Sequence, residues 1–213
     1  LALYNKQVNT ADDIHIDLAP LCRFARAQFI QARVTDFDPY SKRVEIEGRP
    51  GLSYDAISLD IGITPDVTVP GAAEHAIPVK PIGEFLAKWQ DFLQRYQSGT
   101  ISSIALVGGG AGGVELTLAI HAALSKLSQP LPEFHLVSAS NTILEDFSPE
   151  TRARFLAEFR AKGIQLHTGA RVSEVVEDGV KNDFGGTVKA DETFWVTSAA
   201  SQSWLAKTGL ELD

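Results

Sequence analysis

Ser103-Ile104-Ala105-Leu106-Val107-Gly108-Gly109-Gly110-Ala111-Gly112-Gly113-Val114-Glu115-Leu116 is the stretch that decides the fold class of this 213-residue chain. An apolar run of strand length enters a glycine turn, and Leu116, Ala119, Ile120, Ala123, Leu124 and Leu127 then follow at helical spacing. Glycines 108, 110 and 113 fall in a G-x-G-x-x-G pattern. Gly108 permits the tight turn out of the strand, Gly110 lets backbone approach a pyrophosphate, and Gly113 lets the helix pack closely on the sheet. With Gly109 and Ala111 between them, these residues are the expected seat of a dinucleotide pyrophosphate. The helix N-terminus adds free N–H groups and a partial positive charge for the anion. The alternative at this point is a ligand-free glycine turn.

Downstream, strand and helix patterns alternate. Phe134 to Val137 reads as a strand. Ser148-Pro149-Glu150 opens a helix with an N-cap, a first-turn proline and a first-turn acid, Phe155, Leu156 and Phe159 give its apolar face, and Gly163 stops it. Ile164 to His167 reads as the next strand. Upstream, 81–96 carries Ile82, Phe85, Leu86, Trp89 and Leu93 at helical spacing. Alternation of this kind predicts a parallel sheet of βαβ units. Short strands at 171–177 and 192–197, with turns at Asp178-Gly179 and Gly185-Gly186, predict an attached β-meander. The first third is different. A helix around Cys22 places Leu18, Leu21, Cys22 and Ala25 on one face, and strands are expected at 29–35, 43–47 and 54–60. Turn chemistry at 38–41 and 48–51 makes those strands antiparallel. An irregular stretch through Val69-Pro70-Gly71 reads as a domain crossover.

Composition narrows the function classes. An apolar fraction of 44% with 22% charged residues is that of a soluble globular protein. A net charge of −8, with no cluster of Lys and Arg, argues against nucleic acid as a partner. The longest weakly polar run, 104–114, is too short to span a bilayer, and no signal peptide is visible. The expected setting is cytoplasmic, with peripheral membrane association left open. Cys22 is the single cysteine, which excludes a dithiol mechanism within the chain, and it is expected to be a buried structural residue. The absence of Met, even at position 1, suggests an interior fragment or a processed product. His15, His75, His121, His135 and His167 show no metal-ligand spacing. No G-x-S-x-G or Walker pattern occurs.

The adenosine end of a dinucleotide site calls for a group at the carboxyl end of the second strand. Glu133 has roughly the right offset but precedes the strand, so Ser138 is the candidate. Serine can hydrogen-bond a ribose hydroxyl without repelling a 2′-phosphate. No Lys or Arg lies between Phe134 and Thr151 to attract one, which favours NADH over NADPH. Glu115 sits in the first turn of the helix, where the helix dipole stabilises a carboxylate.

The fingerprint from Val107 to Leu116 resembles that of the pyridine nucleotide-disulfide oxidoreductase superfamily. Its repeated A-T-G-x-x-P turn is matched by Asp60-Ile61-Gly62-Ile63-Thr64-Pro65 and, degraded, by Val196-Thr197-Ser198-Ala199-Ala200-Ser201. Ile14-His15-Ile16-Asp17-Leu18, Pro70-Gly71-Ala72-Ala73-Glu74-His75 and Val79-Lys80-Pro81 resemble type II NADH dehydrogenase-like members, and in particular the flavoprotein module fused to selenide, water dikinases. The resemblance implies an α/β fold in which a Rossmann-like NAD(P)-binding domain at 80–193 is inserted into an FAD-binding domain. Residues 1–79 and 194–213 would then be parts of that flavin domain. It implies hydride transfer from NAD(P)H to FAD and onward to an acceptor. Glu115 and the turn of Thr197, Ser198 and Ala199 would lie near the nicotinamide. Without a C-x-x-C pair the acceptor would be a quinone, a small molecule or another protein domain. The family's flavin domain has its own G-x-G-x-x-G and a later Gly-Asp motif, and neither occurs here. The expectation is a fragment that holds nicotinamide nucleotide without retaining FAD, with a fused kinase domain a candidate neighbour. A non-catalytic NAD(H)-sensing module is the rival reading, and an adenosylmethionine-dependent methyltransferase a more distant one.

Overall fold

A strand that is apolar along nearly its whole length needs cover on both faces, and the fold supplies it. The computed structural model describes residues 16–62, 64–197, 199–200, 205 and 208–210. In chain order its elements begin with α1 (Leu18–Phe24), β1 (Val34–Asp38), β2 (Arg43–Ile46), β3 (Arg49–Ser53), β4 (Thr64–Pro65), α2 (Ala72–His75), β5 (Ala76–Pro78) and α3 (Ile82–Gln97). They continue with β6 (Ser103–Val107), α4 (Ala111–Leu124), β7 (Glu133–Val137), α5 (Pro149–Ala161) and β8 (Gln165–His167). The last are β9 (Val172–Val176), β10 (Gly179–Asn182), β11 (Thr187–Lys189), β12 (Glu192–Trp195) and β13 (Ala199–Ala200). Two compact units result, one spanning 64–199 and the other 16–62 with the described positions from 200 onward.

In the larger unit β5, β12, β6, β7 and β8 lie in that order, and every neighbouring pair is parallel. Alternate residues of each strand face opposite layers. Ile104, Leu106, Phe134, Leu136 and Phe194 pack with Phe85, Phe92 and Tyr96 of α3, Val114 and Leu124 of α4, and Phe159 of α5. Val107, Val137 and Trp195 face the other way, onto Val172, Val175, Val180 and Val188 of the antiparallel sheet β9–β10–β11. The expected parallel sheet and meander are therefore both present. One strand changes place: 192–195 is not part of the meander but inserts between β5 and β6 of the parallel sheet. Its Phe194 is fully buried and meets Phe92 edge-on at 5.2 Å between ring centroids, with Phe85 and Trp89 alongside at 6.4 Å. Such contacts add about 0.5–1.5 kcal/mol each beyond burial.

The helix faces also turn. On α3 the deepest side chains are Phe85, Phe92 and Tyr96, whereas Ile82 is exposed. On α4 they are Val114, Thr117, Ile120 and Leu124. Thr117 can be buried because its hydroxyl donates to the Gly113 carbonyl at 2.7 Å. At the amino ends of the strands, Asp191 accepts from the N–H groups of Ser102 and Ser103 at 2.7 and 2.9 Å, and from both hydroxyls. Burial works to raise its pKa, but those bonds outweigh it and hold the carboxyl below its ordinary value.

The smaller unit is an antiparallel meander in the order β1–β2–β3. The middle strand matches its expected position, and its neighbours are displaced. Residues 29–33 are irregular, and β1 starts at Val34. The second turn is shorter than expected: Ile46 pairs with Arg49 around Glu47 and Gly48, and Gly48 has φ of 69°. Arg49-Pro50-Gly51 is thereby drawn into β3, an outer strand that tolerates proline, and Tyr54 to Asp60 is irregular. Asp38 shapes the first turn by accepting from Tyr40 and Ser41 N–H at 2.8 and 3.2 Å. Asp17 caps α1 by accepting from the Ala19 N–H at 2.9 Å. That helix buries none of its residues, and Cys22 is partly exposed, not buried as expected.

Candidate functional site

Strands of an open parallel sheet leave a crevice at their carboxyl ends. Here the carboxyl ends of β6, β7 and β12, the segment after β8 and the start of α4 line a cleft of about 960 Å³ within the larger unit. Gly108, Gly109, Gly110, Gly112, Glu115, Ser138 and Thr197 all line it. Each glycine is held by a different neighbour. Gly108 has φ of 131°, donates to the Val137 carbonyl at 2.9 Å, and would place a methyl 2.5 Å from the Val196 carbonyl oxygen. A methyl on Gly113 would overlap the Gly108 carbonyl oxygen, so the close helix approach expected there is real. A methyl on Gly109 would run into the Ser138 side chain. Gly110 alone of these faces open space, with nothing within 4 Å of a methyl position. It caps α4 without a side-chain bond, so the first N–H groups of the helix remain available to an anion.

The other expected residues divide. Ser138 is buried at the end of β7, and Glu115 is exposed on the second turn of α4. Thr197 follows β12 and is half-buried; its Oγ1 is buried without a hydrogen-bond partner. Ala111 packs into the core and does not line the cleft, and Gly113 is wholly engaged with Gly108. Ser198 lies outside the described residues. Ala199 has a described backbone, in β13.

Lys80, Arg171 and Trp195 are among the cleft residues to which the sequence assigned no site role. Trp195 is fixed by donating its indole N–H to the Asp66 carbonyl at 2.7 Å. Arg171 follows the third strand of the βαβ array. The same carboxyl-edge rule that selected Ser138 would have selected it. Histidines that look scattered in sequence meet in space: His135 Nδ1 and His167 Nε2 are 3.1 Å apart, on β7 and β8. Burial pushes both imidazoles below their ordinary pKa; His135 lowers His167 further, while Glu133 works the other way on His135. Neither lines the cleft. Among the described residues no group of three or more His, Cys, Asp or Glu side chains could hold a metal ion.

A parallel α/β domain with a glycine turn opening onto a carboxyl-edge cleft is the arrangement on which dinucleotide sites are commonly built. Residues 6–213 match the family model described as pyridine nucleotide-disulphide oxidoreductase, and the chain belongs to that family. A probable NADH dehydrogenase of Dictyostelium discoideum is 24% identical over 212 residues, covering 87% of this chain and 47% of the relative. The type II NADH:quinone oxidoreductase of Haemophilus influenzae is 27% identical over 133 residues, covering 58% of this chain and 30% of the relative. The chain thus spans less than half the length of these relatives. NDH2 from Plasmodium falciparum, solved in complex with NADH, shares the fold at a TM-score of 0.75 and 18% identity, over 85% of this chain and 43% of that one. No helix among the described residues is long and apolar enough to cross a membrane.

Proposed function

We propose that residues 64–199 form the NAD(P)H-binding domain of an oxidoreductase that passes a hydride to FAD and onward to a non-disulfide acceptor. The observation that carries this reading is a pair of unmet needs in one cleft. The α4 N-terminus opens beside the empty space at Gly110, and the Thr197 hydroxyl lacks a partner. A nicotinamide dinucleotide supplies anionic oxygens to the first, and its amide and ribose groups can bond the second. In this assignment Gly108, Gly109 and Gly110, with the N–H groups from Ala111 onward, hold the pyrophosphate. Ser138 takes the adenosine ribose, and Glu115 with Thr197, Ser198 and Ala199 borders the nicotinamide. NAD(P)H would supply the hydride, while these residues bind and orient it.

FAD does not fit the described residues in the same way. Among them, only the 108–113 turn joins a parallel strand to a helix through glycines, and that turn serves the cleft above. The flavin is therefore assigned to the complete protein, and a stoichiometric flavin spectrum from this chain would overturn that. The names of the relatives favour a quinone or another small-molecule acceptor. A fused kinase domain would be recognised in the coding sequence that flanks this chain. The degraded turn after Thr197 keeps a sensing module as the second reading, which predicts nucleotide binding without flavin reduction.

Calorimetric titration with NADH tests the site. The native chain is expected to bind. Gly110→Ala has an unstrained backbone and no clash, so it should melt within a few degrees of the native chain yet bind at least about tenfold more weakly, a loss of roughly 1.4 kcal/mol. Absence of binding by the native chain, or full affinity in Gly110→Ala, would overturn the assignment.

A further inference from the structure

We propose that the adenosine end of the cleft takes a 2′-phosphate, with Arg171 as the cation facing it, so that NADPH binds at least as tightly as NADH. The inference rests on the reading of the cleft as a nicotinamide-nucleotide site and goes on to name which nucleotide that site admits.

The backbone sets the geometry. The Ser138 N–H donates to the His167 carbonyl, the Ala170 N–H to the Ser138 carbonyl, and the Gly169 N–H to the Ser140 carbonyl, each at 2.8 Å. Residues 138–140 and 167–170 therefore run together beyond β7 and β8, and Arg171 comes next in line, beside Ser138. Ser138, Ala139, Ser140 and Arg171 all line the cleft. This is the edge at which an NAD-selective site places an acid, which bonds the 2′-hydroxyl and repels a 2′-phosphate. No acid stands at 138–140. Two hydroxyls stand there, Arg171 adds a guanidinium to the same cleft, and that set can donate to a phosphate from several directions.

Arg171 is free to take the role. Its side chain is 73% exposed, and its ion partner Asp183 is 4.0 Å away, too far for a hydrogen bond. An exposed pair of that kind contributes little and exchanges readily for a dianion. Two carboxylates, Glu145 and Asp146, line the same cleft. They follow Leu144, whose N–H donates to the Gly109 carbonyl at 2.9 Å, so the chain has by then returned to the pyrophosphate end. The sequence favoured NADH because no basic residue lies between Phe134 and Thr151. The cation comes instead from the segment after the next strand.

The test is parallel titration of the full chain with NADH and NADPH, for the native protein, Arg171→Gln and Arg171→Lys. The native chain should bind NADPH at least as tightly as NADH. Arg171→Gln should weaken NADPH about tenfold, the scale of one charged hydrogen bond, and leave NADH within about twofold. Arg171→Lys should recover part of the NADPH affinity. Tighter binding of NADH by the native chain, or equal weakening of both nucleotides in Arg171→Gln, overturns the inference and leaves the nucleotide site standing. Failure of the native chain to bind either nucleotide overturns both.

Discussion

Positions 109 and 138 share one volume. A methyl at Gly109 would lie 2.6 Å from the Ser138 Cβ, and once that side chain is removed the nearest remaining atom is the Ser138 Cα at 3.7 Å. Gly109→Ala should therefore cost about 1–3 kcal/mol of stability, as overpacking does. The double change Gly109→Ala with Ser138→Gly should recover a good part of it. Denaturant melts of the four proteins in the cycle measure the coupling, and additive losses would show that the volumes are independent. The G-x-G-x-x-G spacing made 108, 110 and 113 legible as strand exit, helix cap and helix contact, although the carbonyl that keeps Gly108 a glycine belongs to the distant Val196. The reason for glycine at 109 lies at the end of the next strand, and no local pattern records it. Arg171 is a different case: the carboxyl-edge rule that selects Ser138 reaches it as well, and the bond from the Ala170 N–H to the Ser138 carbonyl brings its segment to that edge.

Elements with strong periodicity and caps were read well. β6, β7, β8 and α5 stand close to where the pattern put them, and Ser148 accepts from the Thr151 N–H at 3.2 Å as an N-cap should. The strand at 29–35 is displaced because the turn at 39–42 pairs Asp38 with Arg43, and that at 54–60 because an apolar alternation does not show which two-residue turn sets the register. Gly48 made that turn, and the strand after it moved forward. Within the parallel sheet the central contact is legible only in three dimensions: Phe194→Ala should cost about 3–5 kcal/mol by thermal or chemical denaturation. The His135–His167 pair gives the β7–β8 edge a pH dependence. Both folded-state pKa values lie below the ordinary 6.5. Their contribution is complete above the unfolded value, and it declines as pH falls below 6.5, because the unfolded chain then takes up protons that the folded one resists. Melting temperature should fall between about pH 6.5 and 5.5, and His167→Gln should flatten that slope. His121, also pushed down by burial, leaves a residual slope.

Across the whole molecule, burial is uneven. The larger unit holds two sealed apolar clusters. In the smaller one Phe24 is 89% exposed and Ile57, Leu59 and Ile61 are exposed at alternate positions. Residues 64–199 expressed alone should melt cooperatively and retain nucleotide affinity, with far less binding of a hydrophobic dye than the full chain shows. Comparable dye binding by both would refute that division of exposed surface. The placement of β12 has a further consequence for synthesis. Strands β5 and β6 leave the ribosome before β12, yet neither can pair with the other, since the slot between them belongs to residues 192–195. The domain therefore cannot close its sheet as it emerges. It must wait, with both strands half-made and Phe92 without Phe194, until residues 192–195 have been synthesised, so the sheet closes through a contact of long sequence separation.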